Sequence, residues 1–211
     1  MKTREKIVQA ALELFNEHGE RAITTNHIAA HIGISPGNLY YHFRNKQEIV
    51  REIFKLYSSE LLERFTPLQG KNEGLVLLKH YLSSIFTLMW KYRFFYSNLP
   101  DILQRDTELH REYIEVQERL QDNLVKIIQV FIELDWLRIE SPDVTFFVRT
   151  LHMIVCGWLS YQSAMSANTK VTEQIIHQGM LQMIHVVKPR ATELGQEQLQ
   201  LLAEGMMTMY A

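Results

Sequence analysis

The sequence predicts an all-α protein with a small N-terminal three-helix head and a larger C-terminal helical bundle. Nearly every apolar pattern repeats every three or four residues, as on a helix, and strict alternation bounded by hairpin turns is missing. Clusters of Gly, Pro, Ser and Asn divide the chain into segments of helical length, short ones first and long ones afterwards. We therefore expect a head at residues 1–48 and a body at residues 49–211.

These punctuation signals also give the approximate bounds of the helices. Short pieces are expected on either side of Pro100. The other predicted helices are 3–18, 25–32, 36–43, 46–66, 73–91, 106–138, 143–166, 171–187 and 196–209.

Composition and charge indicate a soluble globular protein. Hydrophobic residues make up 46% of the 211 residues, enough for a sizeable core. The net charge of −2 hides an asymmetry, because residues 1–51 carry +2 and the remainder carries −4. Cys156 is the only cysteine and the N-terminus lacks the apolar stretch of a secretion signal, so we expect a cytoplasmic protein. Residues 150–169 are uncharged but contain several polar side chains, so we expect no membrane helix.

A turn signal separates two of the short helices in the head. Gly33 is well placed as the left-handed residue that ends the helix 25–32. Ser35 is a strong N-cap, and Pro36 suits the first helical position because its missing N–H costs nothing there. The sequence therefore predicts a helix-turn-helix, the geometry that enters the major groove of DNA.

The second of these helices presents polar and aromatic side chains to solvent. Leu39 and Phe43 lie four residues apart and are expected to form its buried face. Phosphate contacts need hydrogen-bond donors, and base edges need Asn, Arg or close apolar contacts. The candidate phosphate donors are Thr25, Tyr40, His42 and Lys46, and the candidate base contacts are Gly37, Asn38 and Tyr41.

Residues 10–50, AALELFNEHGERAITTNHIAAHIGISPGNLYYHFRNKQEIV, resemble the DNA-binding head of the TetR family of bacterial transcriptional regulators. The resemblance implies a homodimer that binds a palindromic double-stranded DNA operator, usually as a repressor released by a small-molecule effector. It also implies that Thr25, Tyr40, His42 and Lys46 contact phosphates. The residues it places nearest the bases are Ser35, Pro36, Gly37, Asn38 and Tyr41.

The helix predicted at 143–166 differs from the others because apolar residues cover most of its circumference. Such a helix needs cover on both sides. We expect a second subunit to cover one side of this helix. The alternative is that a single bundle encloses the helix completely. The candidate dimer residues are Phe147, Leu151, Val155 and Trp158.

The effector pocket is expected among the predicted helices 46–66, 73–91 and 106–138 and the pieces around Pro100. Aromatic residues outnumber charged ones there, so the sequence favours an apolar or aromatic effector. The candidate lining residues are Phe86, Trp90, Phe94, Phe95, Tyr96 and Trp136, with Arg93 or His110 as a polar anchor.

Two other functions compete with this interpretation. An enzyme could use His27 and His31 as a metal pair or Cys156 and His152 as nucleophile and base, but the sequence lacks H-E-x-x-H, phosphate-loop and serine-nucleophile motifs. We therefore expect no catalytic residues, no metal site and no cofactor. The second competitor is a module whose head docks another protein. Such a module would show no salt-dependent retention on duplex DNA.

Overall fold

The computed structural model describes residues 2–68, 74–165 and 170–208, with side chains up to residue 203. In this part of the chain ten α-helices and two 3₁₀ segments account for the regular structure, apart from one isolated bridge between Leu137 and Ala191. The all-α prediction is confirmed. The α-helices are α1 Thr3–His18, α2 Thr25–His31, α3 Pro36–His42, α4 Lys46–Arg64, α5 Gly74–Lys91, α6 Arg93–Gln104, α7 Thr107–Glu133, α8 Val144–Met165, α9 Glu173–Val187 and α10 Glu193–Thr208.

The head consists of α1, α2 and α3 around a small core. Phe15 on α1 is buried, as are Ile28 on α2 and Leu39 on α3. Both of the short helices α2 and α3 pack on a neighbour, since α2 contacts α1 and α3 contacts α2. Helices of seven residues are not stable alone in water, so this shared core holds them in place.

Helix α4 begins in the head and runs into the body. Its buried residues Ile49, Ile53 and Tyr57 are spaced along one face, and the helix packs against α1, α5 and α7. One continuous helix therefore belongs to both parts of the molecule.

The body is a bundle in which α8 is central, packed against α6, α7 and α9. The two pieces predicted around Pro100 form the single helix α6, which is kinked at Asn98. Ser160 on α8 donates its hydroxyl to the carbonyl oxygens of Tyr96 and Ser97, at 3.0 and 3.3 Å. These bonds tie the kink in α6 to α8.

Helix α7 ends earlier than the predicted residue 138. Asp135 has φ +56°, and the N–H of Trp136 donates to the carbonyl oxygen of Phe131 at 2.9 Å. This is the left-handed C-terminal motif in which glycine usually occurs, here with an aspartate instead. The chain therefore turns away before Trp136.

One side of helix α8 is exposed in the single chain, and cover for that side by a second subunit stays a prediction. Its exposed side carries large apolar side chains, including Phe146 at 68% exposure and Met153 at 62%. The four residues predicted for the dimer interface lie elsewhere on the helix: Phe147, Leu151, Val155 and Trp158 all pack against the core of their own chain.

Candidate nucleic-acid interface and ligand cavity

Side-chain caps hold the two helices of the head in a fixed geometry. Thr24 caps α2, accepting from the N–H of His27 at 3.3 Å, and Gly33 has φ +68°. Ser35 caps α3 by accepting from the N–H of Asn38 at 3.2 Å, with Pro36 at the first helical position. The helix-turn-helix signals in the sequence thus correspond to the observed bonds.

The outer face of α3 is open to solvent. Tyr41 is 85% exposed, and Ser35, Pro36, Gly37 and Asn38 are exposed as well. The other side of the helix is fixed in the core by the buried Leu39 and Phe43, as the sequence predicts. All the side chains predicted to lie nearest the bases therefore occupy one accessible surface.

Hydroxyl groups from two helices meet beside this surface. The Thr25 hydroxyl on α2 lies 3.0 Å from the Tyr40 hydroxyl on α3. The neighbouring His42 is half-buried, and its ring lies 5.2 Å from that of Tyr41 in an edge-to-face arrangement. Three of the four predicted phosphate donors thus flank the exposed face of α3.

Lys46 has a different environment from these three. Its ammonium group donates to the carbonyl oxygens of Glu20 and Ile23, at 2.8 and 3.0 Å, and lies 2.9 Å from the Glu20 carboxylate. An ammonium has three donor hydrogens, so these acceptors match its full capacity. Lys46 therefore holds the start of α4 to the loop after α1, and its phosphate contact stays a prediction.

A buried carboxylate joins the head to the body. Glu20 is 4% exposed and accepts from Arg105, just after α6, at 2.6 Å as well as pairing with Lys46. Burial acts to raise the Glu20 pKa, but the hydrogen bonds from Arg105 and Lys46 outweigh it and the pKa lies below its usual value. Asp101 on α6 also pairs with Arg21. Through these pairs, α6 and α4 are both connected to the head.

The body contains a partly open cavity of about 160 Å³, and helices α4 to α10 contribute to its wall. Most of the wall is Leu, Ile, Val, Phe and Met side chains, and the remaining lining residues are Tyr57, Tyr81, Tyr96, Trp136, His152, Cys156 and Gly195. Of the predicted lining residues, Tyr96 and Trp136 do line it. The cavity therefore lies deeper in the bundle than the sequence suggests, and α8, α9 and α10 contribute much of its wall.

The other predicted lining residues lie elsewhere. Phe94 packs on Phe15 of the head with ring centroids 5.3 Å apart, and Phe95 lines a separate, much smaller void beside Phe54. Phe86 lies against the His177 ring, and the Arg93 guanidinium lies over the Trp90 ring. His110 is exposed on α7. None of these six lines the main cavity.

Polar groups reach the cavity wall at a few positions. The hydroxyls of Tyr57 and Tyr96 lie 3.1 Å apart, and the His152 ring contacts the Gln121 amide with 2.5 Å between Nδ1 and Nε2. Burial lowers the pKa of His152 and raises that of the Cys156 thiol to about 11. Both side chains are therefore neutral at pH 7. The sequence does not predict that His152 and Cys156 line a cavity together, because the residues around them show the apolar pattern of a core helix.

Trp136 closes one end of the cavity between two glycines. An added Cβ at Gly74 on α5 would lie 2.6 Å from the Trp136 ring, and one at Gly195 on α10 would overlap the Trp136 carbonyl oxygen. The N–H of Thr192 donates to that same oxygen at 3.1 Å. Helix α10, whose role the sequence does not indicate, is thus attached to the turn after α7 and covers the cavity.

Comparison with known families agrees with this architecture. Residues 7–53 match a family described as "Bacterial regulatory proteins, tetR family", and residues 56–199 match the TetR family described as "Bacterial transcriptional repressor". The chain belongs to the TetR family. TetR regulators bind DNA and are not enzymes, so the helix-turn-helix head is that of a transcriptional regulator.

Individual relatives support the same assignment. A TetR-family regulator from Marinobacter aquaeolei VT8 has a crystal structure that is 33% identical, with a TM-score of 0.87 over 98% of this chain and 99% of that one. The regulator UidR of Escherichia coli K12 is 33% identical over 86 residues, which span 41% of this chain and 42% of UidR. QacR of Staphylococcus aureus Mu50 is 38% identical over 71 residues, which span 34% of this chain and 38% of QacR. The match therefore spans less than half the length of these two regulators.

Proposed function

We propose that this TetR-family regulator is a homodimeric repressor that reads a palindromic operator through α3 and is released by a small-molecule effector. The exposed face of α3 carries the proposal. Leu39 and Phe43 fix the helix from below, while Asn38 and Tyr41 project into solvent. Side chains on a rigid, outward-facing short helix can reach base edges in a major groove.

On this surface the contacts divide into two kinds. The Thr25 and Tyr40 hydroxyls and His42 would bind phosphates and set the register of the head. Lys46 would join them by exchanging one of its three present acceptors for a phosphate oxygen. Asn38 would hydrogen-bond an adenine, and Tyr41 would lie against a thymine methyl group. Gly37 has no Cβ, and an added one would meet only the Ser35 hydroxyl, at 4.0 Å, so the backbone can approach the DNA closely there.

The exposed side of α8 supports the homodimer. Phe146, Met153, Tyr161 and Met165 are all more than half exposed, and the open Gly157 lies among them. The segment Ser141–Met165 is long and apolar enough by composition to cross a membrane, and only 17% of its apolar 18-residue window is buried. In a DNA-binding regulator the simpler cover is a second subunit, since contiguous exposed apolar patches mark protein interfaces. We therefore place the dimer interface on this face and the protein in the cytoplasm.

Ligand response would depend on α6. Its N-terminal half contributes Tyr96 to the cavity wall, and the residues at its C-terminal end hold the head through Asp101 and Arg105. A ligand that favours another position of α6 would change the separation of the two heads in the dimer. Operator affinity then falls by the ratio of the ligand's affinities for the two shapes.

Titration of duplex DNA by fluorescence anisotropy tests the DNA-binding function. We expect the affinity to fall steeply between 50 and 200 mM salt, on the order of 10³-fold if about six phosphates are contacted. A head that docks another protein would show no salt-dependent binding to duplex DNA. Such a result would contradict the proposed function.

A further inference from the structure

The described wall of the cavity in the body is built from uncharged and apolar side chains. Among the described residues that line it, none is Asp, Glu, Lys or Arg. A charged guest would lose its hydration and find no counter-charge, which costs several kcal/mol. The wall therefore selects against ions of either sign.

The size of the cavity limits the guest to a small molecule. A dry apolar cavity of about 150 Å³ binds a guest of the size of benzene, with about six non-hydrogen atoms. The cavity of about 160 Å³ is of this order and partly open, so it suits a guest of roughly six to ten non-hydrogen atoms.

A row of uncharged hydrogen-bonding side chains lies between α7 and α8. We call it the seam; it consists of Gln121, His152, Cys156 and Tyr113. The Gln121 amide N–H donates to Nδ1 of His152, which leaves the ring proton on Nε2 as a donor for a guest. One helical turn further along α8, Cys156 contacts the Tyr113 hydroxyl. All four groups are neutral hydrogen-bonding groups at pH 7.

Gln117 adds an unsatisfied amide to this seam. It lies on α7 one turn from both Tyr113 and Gln121, and neither its amide nitrogen nor its amide oxygen has a hydrogen-bond partner among the described residues. Buried amides are normally paired, so an unpaired one indicates that a further polar group belongs nearby. Gln117 is not among the described residues that line the cavity, so a guest there would pair at His152 rather than with the Gln117 amide.

We infer that the ligand of this cavity is an uncharged, mainly aliphatic molecule of roughly six to ten non-hydrogen atoms with one neutral hydrogen-bonding group, which pairs at His152. This inference rests on the proposed function, because it takes the cavity as the effector site. It goes further by excluding carboxylates and ammonium ions of the same size and shape.

Three matched probes test the ligand class by calorimetry on the full-length chain at pH 7.5 without DNA. They are 1-nonanol, nonanoate and nonylammonium, which share one alkyl chain and differ in charge. We expect the alcohol to bind at least tenfold more tightly than either ion. Equal or tighter binding of an ion overturns the inference, and so does an alcohol that does not bind.

Substitutions at His152 test the polar end. His152→Leu should weaken binding of 1-nonanol about tenfold, because one neutral hydrogen bond is lost. His152→Gln keeps a neutral hydrogen-bonding group and should bind within about threefold of the wild type. His110→Leu, on the exposed surface of α7, is the matched control and should change nothing. Unchanged binding of 1-nonanol by His152→Leu would overturn the role of His152. A loss in His152→Leu that His152→Gln does not restore, in variants that melt like the wild type, would overturn it as well.

Anisotropy with a bound operator duplex separates this inference from the proposed function. If 1-nonanol binds and the duplex stays bound, the ligand class stands and ligand-responsive repression fails. If an ion releases the duplex while the alcohol does not bind, ligand-responsive repression stands and the ligand class is overturned.

Discussion

The head exposes its functional residues, whereas the body forms its site from its own core. Tyr41 and Asn38 project into solvent from a helix that Leu39 holds in place. In the body, Tyr96 and Trp136 are buried and at the same time line the cavity. Substitutions on the exposed face of α3 should therefore change binding and leave stability unaltered, whereas substitutions around the cavity should change both.

The outer face of α8 and the junction at Glu20 refine this comparison. Neither the outer face of α8 nor the junction at Glu20 belongs to the proposed DNA-binding face or to the cavity, but each would connect two folded units. The first would join two subunits, and the second joins head and body within one chain.

Met153→Glu should have the largest effect, because it places a charge in the middle of the exposed apolar face of α8. We expect monomers by light scattering and an operator affinity lower by about 100-fold or more, since two linked heads bind far better than one. Ile114→Glu on α7 is the control, an exposed apolar residue away from that face. A dimer that survives Met153→Glu would place the interface elsewhere.

Trp158 is a poorer test site, since its indole N–H donates to the Ile175 carbonyl within the same chain.

Glu20→Gln should weaken the junction between head and body. Removing the charge takes the buried carboxylate away from Lys46 and Arg105, which keep only backbone carbonyl oxygens and Asp101 as acceptors. We expect a loss of about 2 kcal/mol in the free energy of unfolding. Glu17→Gln on the exposed side of α1 should cost much less. Urea unfolding at pH 7 measures both variants.

The wild type and Glu20→Gln also test how the stability of the junction depends on pH. Because the Glu20 pKa is lower in the folded state, its contribution is present above the unfolded pKa, about 4.5, and is lost as the pH falls through the folded value. The wild type should therefore lose its advantage over Glu20→Gln as the pH is lowered below about 4.5. A difference that stays constant down to pH 2 would show that the carboxylate charge is not what stabilises the junction.

Gly195→Ala should disturb the cavity and the fold together. The added methyl group would overlap the Trp136 carbonyl oxygen, so α10 must shift, at a cost of about 2 kcal/mol. For a chain of this length, a lower Tm by about 4–8 °C follows. Glu197→Ala, at an exposed position on the same helix, is the control. An unchanged Tm in Gly195→Ala would show that α10 is not fixed to the turn after α7.

Asn38→Ala should have the smallest effect on the free energy and leave the Tm unchanged. Losing one side chain at a base edge should reduce discrimination at one position of each half-site by about 1–2 kcal/mol. Gln9→Ala on the exposed face of α1 should leave the binding profile unaltered. An identical profile for Asn38→Ala and wild type would remove Asn38 from base recognition.

Local signals explain why the head was predictable. Ser35, Pro36 and Gly33 act within three or four residues of themselves, so the bounds of α2 and α3 follow from the sequence to within one residue. Asn45 likewise caps α4 by accepting from the N–H of Glu48 at 2.9 Å. The exposed side of α3 follows once Leu39 and Phe43 are assigned to the core.

The body depends on contacts that no local pattern encodes. The end of α7 was missed because an aspartate, Asp135, takes the left-handed conformation usually found at glycine. Leu151 and Val155 face the cavity because α8 is rotated by its packing on three other helices. An apolar stripe therefore predicts burial but not whether its neighbour is a cavity, another helix or a second subunit.

Sequencing the genomic DNA fragments that the purified protein retains is the most direct test of the central claim that α3 reads an operator in a dimer. The account predicts a shared inverted repeat whose half-site centres lie about 10 base pairs, or a multiple of that, apart. A variant with both Asn38→Ala and Tyr41→Ala should no longer enrich it. Retained fragments without a common sequence, or the same repeat from the variant, would contradict the claim.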